Sequence, residues 1–117
     1  MKLIFVYNAD SGLFSSIFDL GHKIINPETY QCNLCRLTYG NFTENKKWKN
    51  FRKISDVEMQ FMHRNEFEKE FKIKIDYPAV LSFNGKLKIG ISSNEINKYK
   101  SLEELIAVIE KLIKKEI

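Results

Sequence analysis

The stretch DYPAVLSFNGKLKIGISSNEI, Asp76 to Ile96, decides how the rest of the chain is read. Ala79 to Phe83 is an apolar run of strand length, and Asn84-Gly85 after it is the strongest short-range hairpin signal, because both residue types tolerate the positive φ that tight hairpin turns require. Leu87, Ile89 and Ile91 then alternate with Lys88 and Gly90, as a returning strand does. Ser92 with Glu95 has the spacing of a capping box, and Ser101 with Glu104 repeats it. Beyond the second box, Leu102, Leu105, Ile106, Ile109, Leu112 and Ile113 form the apolar stripe of a closing helix.

Toward the N-terminus, Leu3-Ile4-Phe5-Val6-Tyr7 is a continuous apolar run suited to a central strand covered on both faces. Leu13, Phe14, Ile17, Phe18, Ile24 and Ile25 give a helical stripe, with Asp10 or Ser11 placed to cap its start. Pro27 marks a break or a fresh turn of helix. A further helix is expected from Thr43 to about Ile54, with Trp48, Phe51 and Ile54 on its buried side. Val57, Met59 and Phe61 alternate with Glu58, Gln60 and Met62 as a half-buried strand, and Asn65 with Glu68 predicts a cap for a short helix through Phe71. The order is β-α-insert-β-α-β-β-α. A helix crosses between the first two strands, which makes them parallel, and the hairpin makes the last two antiparallel. The class is α/β.

The chain has 117 residues, 44% hydrophobic and 29% charged, which suits one domain, 1–117, able to bury a core without disulfide staples. Five glycines and two prolines leave no linker, and there is no internal repeat. The apolar run at the start is shorter than a signal-peptide core or a membrane span, so a cytoplasmic protein with no membrane partner is expected. The net charge is +4. The densest basic run, Lys46-Lys47-Trp48-Lys49 with Arg52-Lys53, interleaves Trp48 and Phe51. That interleaving occurs in nucleic-acid-binding surfaces, but Trp48 and Phe51 are three residues apart and share one helix face. The pattern therefore reads as a solvated amphipathic helix, with no nucleic-acid partner.

The strand order together with Pro78, which stands immediately before the third strand, resembles the thioredoxin-like family, whose conserved proline there is cis. The resemblance covers about the last third of the chain and the first strand-helix unit. It implies a mixed four-stranded sheet with helices on both faces, a cis Tyr77–Pro78 bond beside the end of the first strand, and Tyr77 and Pro78 as supporting residues of a redox site. Thioredoxins place their CxxC pair at the start of the helix after the first strand. Here Asn8-Ala9-Asp10-Ser11-Gly12 occupies that place, and Cys32-Asn-Leu-Cys35 comes some twenty residues later, in an insert at about 26–54. The chain also resembles a group of small uncharacterised bacterial proteins sharing FVYNADSG and TYxCxLCxLTxG, some labelled GTPase. This chain lacks the GxxxxGK[ST] loop that would cradle phosphates, so a P-loop GTPase is not expected.

Cys32 and Cys35 are the two cysteines of the chain. In a reducing compartment they are expected to rest as thiols. The redox reading makes Cys32 the nucleophile and Cys35 the resolving thiol, with Arg36 favouring the thiolate. If the chain from Asn26 to Asn41 climbs back along the sheet, the pair, partly exposed, arrives at the edge bearing Pro78 and Asp10. Two alternatives stand beside this reading. In one, Cys32 and Cys35 hold zinc or another thiophilic metal in a non-catalytic binding module, completed by His22 or His63 or by a homodimer that supplies the pair twice. In the other, they pack as small hydrophobes in a module that binds protein. Ser11 and Gly12, at a strand-to-helix turn, offer amides to an anion, against which Asp10 acts by repulsion and as an N-cap. No cofactor is predicted under the redox reading, and the partner would be a thiol or disulfide.

Overall fold

The structure, a computed structural model, describes residues 1–8, 32–38 and 44–116. Strands β1 (Lys2–Tyr7), β2 (Glu58–His63), β3 (Ala79–Phe83) and β4 (Leu87–Ile91) form one mixed sheet in the order β2-β1-β3-β4. β1 runs parallel to β2 and antiparallel to β3, and β3 runs antiparallel to β4, the last as its hairpin connection requires. The described helices are α1 (Asn33–Thr38), α2 (Lys46–Ile54), α3 (Arg64–Phe71), α4 (Ser93–Ile96) and α5 (Leu102–Glu116). The expected helix at Leu13 to Ile25 lies outside the described residues, as do Asp10, Ser11 and His22.

Strand periodicity divides the core into two layers. Leu3, Phe5 and Tyr7 of β1 face a cluster built from Leu34 and Leu37 of α1, Trp48 of α2, Ile96 of α4 and Leu105, Ile109 and Leu112 of α5. Ile4 and Val6 face the other way, onto Met62, Leu81 and Phe67 of α3. β1 is thus buried on both faces, which is why its sequence is continuously apolar.

The hairpin holds an irregularity that alternation alone hides. Phe83 faces Leu87 across a three-residue link in which Gly85 has φ +77°, the region glycine reaches without steric cost. Val80 pairs with Ile91 but Leu81 pairs with Ile89, so Gly90 is the extra residue of a β-bulge. The bulge sends Leu87 to the Phe67 side and Ile91 to the Trp48 side, and Ile89, expected inward, is 56% exposed. A Cβ at Gly90 would lie 2.6 Å from Leu112 Cδ2 and 3.3 Å from the Val80 carbonyl oxygen, so a side chain there would oblige Leu112 to move.

Both serine capping boxes are present. Ser92 Oγ accepts from the Glu95 amide, and Ser101 Oγ from the Glu104 amide. Three local expectations shift. α2 begins at Lys46, where Asn45 Oδ1 accepts the Lys47 amide at 2.8 Å, rather than at Thr43. Ile54, at the far end of α2, is 79% exposed instead of buried, leaving Trp48 and the half-buried Phe51 as its inward residues. α3 is capped two residues before the expected Asn65: His63 donates its backbone N–H to Glu66 Oε1 at 2.7 Å, and a carboxylate three residues after the cap serves as well there as the Asn65–Glu68 pair would. Lys46, Lys47 and Lys49 are exposed, and Lys47 pairs with Glu103 at 2.8 Å. No helix among the described residues is long and apolar enough to cross a membrane.

Candidate functional site

The Cys-x-x-Cys stretch becomes a site through one local device and one long-range contact. Cys32 stands immediately before α1, so a single helical turn brings the Cα atoms of Cys32 and Cys35 to 5.3 Å, inside the range a bridge needs, and the two sulfurs form a disulfide. The structure shows the oxidised pair, in a geometry one turn of helix supplies. Cys32 Sγ accepts the Cys35 backbone N–H at 3.2 Å and the Asn8 backbone N–H at 3.3 Å. Asn8 follows directly on β1, so the second contact seats the bridge at the C-terminal end of the central strand.

Pro78 lies at the same end of the sheet. Val6 pairs with Ala79, which places Tyr77–Pro78 beside the last turn of β1, and that peptide bond is cis. The expectation for this bond holds. The insert thus brings Cys32 and Cys35 to the edge where β1 ends and β3 begins, although the cysteines come well after the strand-helix turn in sequence.

The burial of the pair is uneven. Cys32 is 1% exposed and packed among Leu34, Leu37 and the β1 side chains, whereas Cys35 is half-buried. In α1 the buried positions are Asn33, Leu34, Leu37 and Thr38, which leaves Cys35 and Arg36 on the outer side of the turn. Arg36 is held in place by Asn33: its Nε donates to Asn33 Oδ1 at 2.9 Å, and its Nη2 donates to the same oxygen. Asn33 in turn donates from Nδ2 to the carbonyls of Ile96 at 2.6 Å and Tyr99 at 3.0 Å. One buried amide, between the two cysteines in sequence, ties the start of α1 to the end of α4. Asn33 was not singled out in sequence, and Asn8 entered only as the first residue of the Asn8-Ala9-Asp10-Ser11-Gly12 turn. Nothing in local periodicity marks Asn8, whereas Asn33, a polar residue flanked by Cys32 and Leu34, could have been found as a candidate buried anchor.

A second set of polar groups completes this edge of the sheet. Arg64 Nη1 donates to Asn8 Oδ1 at 3.0 Å, holding the residue whose amide binds Cys32. Tyr77 donates its hydroxyl to Glu68 Oε2 at 2.8 Å. Burial, reinforced by that carboxylate, pushes the Tyr77 hydroxyl up to about 12. His63 closes β2 opposite Tyr7, with Nδ1 2.8 Å from Glu66 Oε1. Among the described residues no three His, Cys, Asp or Glu side chains converge as a metal site would need.

The His63 backbone N–H is the main group holding the Glu66 carboxyl below the ordinary carboxylate value, with burial acting against it and the His63 ring adding to it. A depressed folded-state value means the unfolded chain takes up the proton first. The stabilisation is present above 4.5 and is lost as pH falls through the lower folded-state value. Glu66→Gln is therefore expected to lower the urea midpoint at neutral pH and to approach the parent at acid pH, below the depressed carboxyl value, where the parent side chain is also uncharged. A gap of equal size at both pH values would show that this carboxylate does not cap α3.

No protein-family model, no curated protein and no solved structure matches this chain.

Proposed function

We propose that the protein is a thioredoxin-like thiol-disulfide exchange protein in which Cys32 and Cys35 alternate between bridge and dithiol. The observation that carries this reading is the seat of the bridge: Cys32 Sγ bonded to the Asn8 amide at the end of β1, beside the strand that opens with cis Tyr77–Pro78. The β2-β1-β3-β4 order, with β1 parallel to β2 and antiparallel to β3, supports a thioredoxin-like arrangement. Thiol-disulfide exchange needs two sulfurs within bonding distance, an approach for a partner, and stabilisation of the thiolate that leaves. The half-buried Cys35 offers the approach, and the amides of Asn8 and Cys35 offer the stabilisation. Tyr77 and Pro78 act here as positioning residues at the mouth, with Tyr77 fixed by Glu68.

The test is a native thiol count coupled to redox equilibration. The protein as purified in air is expected to show no thiol reactive to dithionitrobenzoate and two after treatment with dithiothreitol, and mixtures of reduced and oxidised glutathione should interconvert the two forms reversibly. A bridge that opens only on unfolding would overturn the exchange reading.

A further inference from the structure

The two sulfurs of the bridge differ in access and in bonding, and the differences agree in sense. Cys32 is 1% exposed, while Cys35 is half-buried on the outer side of α1. Cys32 Sγ accepts two backbone amides, from Asn8 and Cys35. An external thiol must approach in line with the S–S bond at the sulfur it attacks, and the other sulfur must carry the departing electron pair. Access selects Cys35 for attack, and the amides select Cys32 as the sulfur on which charge is stabilised.

Resting on the exchange reading above, we infer that Cys35, the second cysteine, is the sulfur that forms the mixed disulfide with the partner, and that Cys32 is the internal leaving and resolving thiol. In the reducing direction of the partner thiol, RS⁻ attacks Cys35 Sγ, the new S–S bond joins R to Cys35, and the Cys32–Cys35 bond breaks with its electron pair on Cys32 Sγ, held by the Asn8 and Cys35 amides. A second RS⁻ attacks the R sulfur of that mixed disulfide, forming RSSR and releasing the Cys35 thiolate. The protein gains two electrons and the two partner thiols lose them. In reverse, the Cys35 thiolate attacks a partner disulfide and expels one RS⁻, and Cys32 then attacks Cys35 Sγ to close the bridge and expel the other. The partner group therefore docks over the outer side of α1, where Arg36 is also exposed. Arg36, tied to Asn33 Oδ1, places a cation next to the attacked sulfur in sequence, which favours thiols carrying carboxylates, as glutathione does.

This assignment is opposite to the one expected from cysteine order, and single variants separate the two. With dithionitrobenzoate as the probe, Cys32→Ser, which retains Cys35, is expected to react at least about tenfold faster under native conditions than Cys35→Ser, which retains Cys32, with the rates converging in denaturant. Since Cys32→Ser places a hydroxyl at a buried position, the reduced parent protein supplies a second measurement. A brief exposure to limiting iodoacetamide, followed by fragmentation mass spectrometry, should find the label mainly on Cys35. Faster native reaction or predominant labelling at Cys32, or equal reaction of the two, overturns the inference while leaving exchange intact. Failure of glutathione to open the parent bridge overturns the exchange reading itself and the inference with it.

Discussion

Replacing Trp48 by alanine is expected to remove about 3–5 kcal/mol of the roughly 5–15 kcal/mol that a domain typically has. Trp48 is the fully buried residue of α2, with its neighbours on that helix charged or half-buried, so the helix is fastened to the sheet through one indole. That indole meets Phe5 edge-on at 5.5 Å between ring centroids and Phe61 edge-on at 6.2 Å, with Phe51 tilted against it at 5.8 Å. Edge-to-face pairs of this kind each contribute about 0.5–1.5 kcal/mol beyond the area they bury. The indole Nε1 has no hydrogen-bond acceptor among the described residues. Phenylalanine should therefore be tolerated far better than alanine, because it keeps most of the ring contact and removes a buried donor that has no acceptor. Urea denaturation of the parent, Trp48→Phe and Trp48→Ala measures both claims. A loss below about 1 kcal/mol for alanine would mean that α2 is held by its ion pairs, Arg52 to Glu44 and Lys47 to Glu103, instead of by this ring.

Much of the fold can be read from sequence because its strands and last helix are decided locally. β1, β3 and α5 each carry one pattern without conflict, and the two serine caps are used as their spacing implies. The departures occur where a tertiary contact overrides a local pattern. Leu87, Ile89 and Ile91 alternate as though one face were buried, yet the bulge at Gly90, where Leu112 of α5 comes close, puts Leu87 and Ile91 on opposite faces, and no window around β4 contains that contact. Asn65 and Glu68 form a valid capping pair, but strand pairing of Tyr7 with His63 fixes where β2 ends and hands the cap to His63 and Glu66. At the site, the bridge was within reach of the cysteine spacing, and the outward position of Cys35 follows from Leu34 and Leu37 being one turn apart. The burial of Cys32 was not within reach. It comes from packing in the core cluster with β1 and α5, with the Asn8 amide, 24 residues earlier, on its sulfur, and no short-range signal carries contacts of that separation.

On the other face of the sheet, Phe67→Ala is expected to cost about 3–5 kcal/mol and, unlike the Trp48 change, to alter the polar edge next to the bridge. Phe67 is fully buried against Ile4, Val6, Met62 and Leu81, with Phe71 at 5.0 Å and Tyr77 edge-on at 6.2 Å. It is the buried residue of α3, an eight-residue helix too short to persist without packing. α3 also carries Arg64, which holds Asn8, and Glu68, which accepts the Tyr77 hydroxyl. Loosening the helix should therefore register first at Tyr77. In the parent, burial and then the Glu68 contact raise the hydroxyl from 10.0 to about 12. A raised folded-state value favours the neutral phenol, so its stabilisation is complete below 10.0 and is lost as pH rises toward about 12. Burial and neighbouring carboxylates push Tyr99 upward as well, so ultraviolet titration of tyrosinate needs Tyr77→Phe to identify the transition near 12. In Phe67→Ala that transition should move down toward the ordinary tyrosine range, while the upward shift of Tyr99, which packs with the cluster on the opposite face, is retained. If Phe67→Ala destabilises the protein but leaves the Tyr77 transition in place, the Glu68–Tyr77 contact is held by the sheet edge and not by the seating of α3.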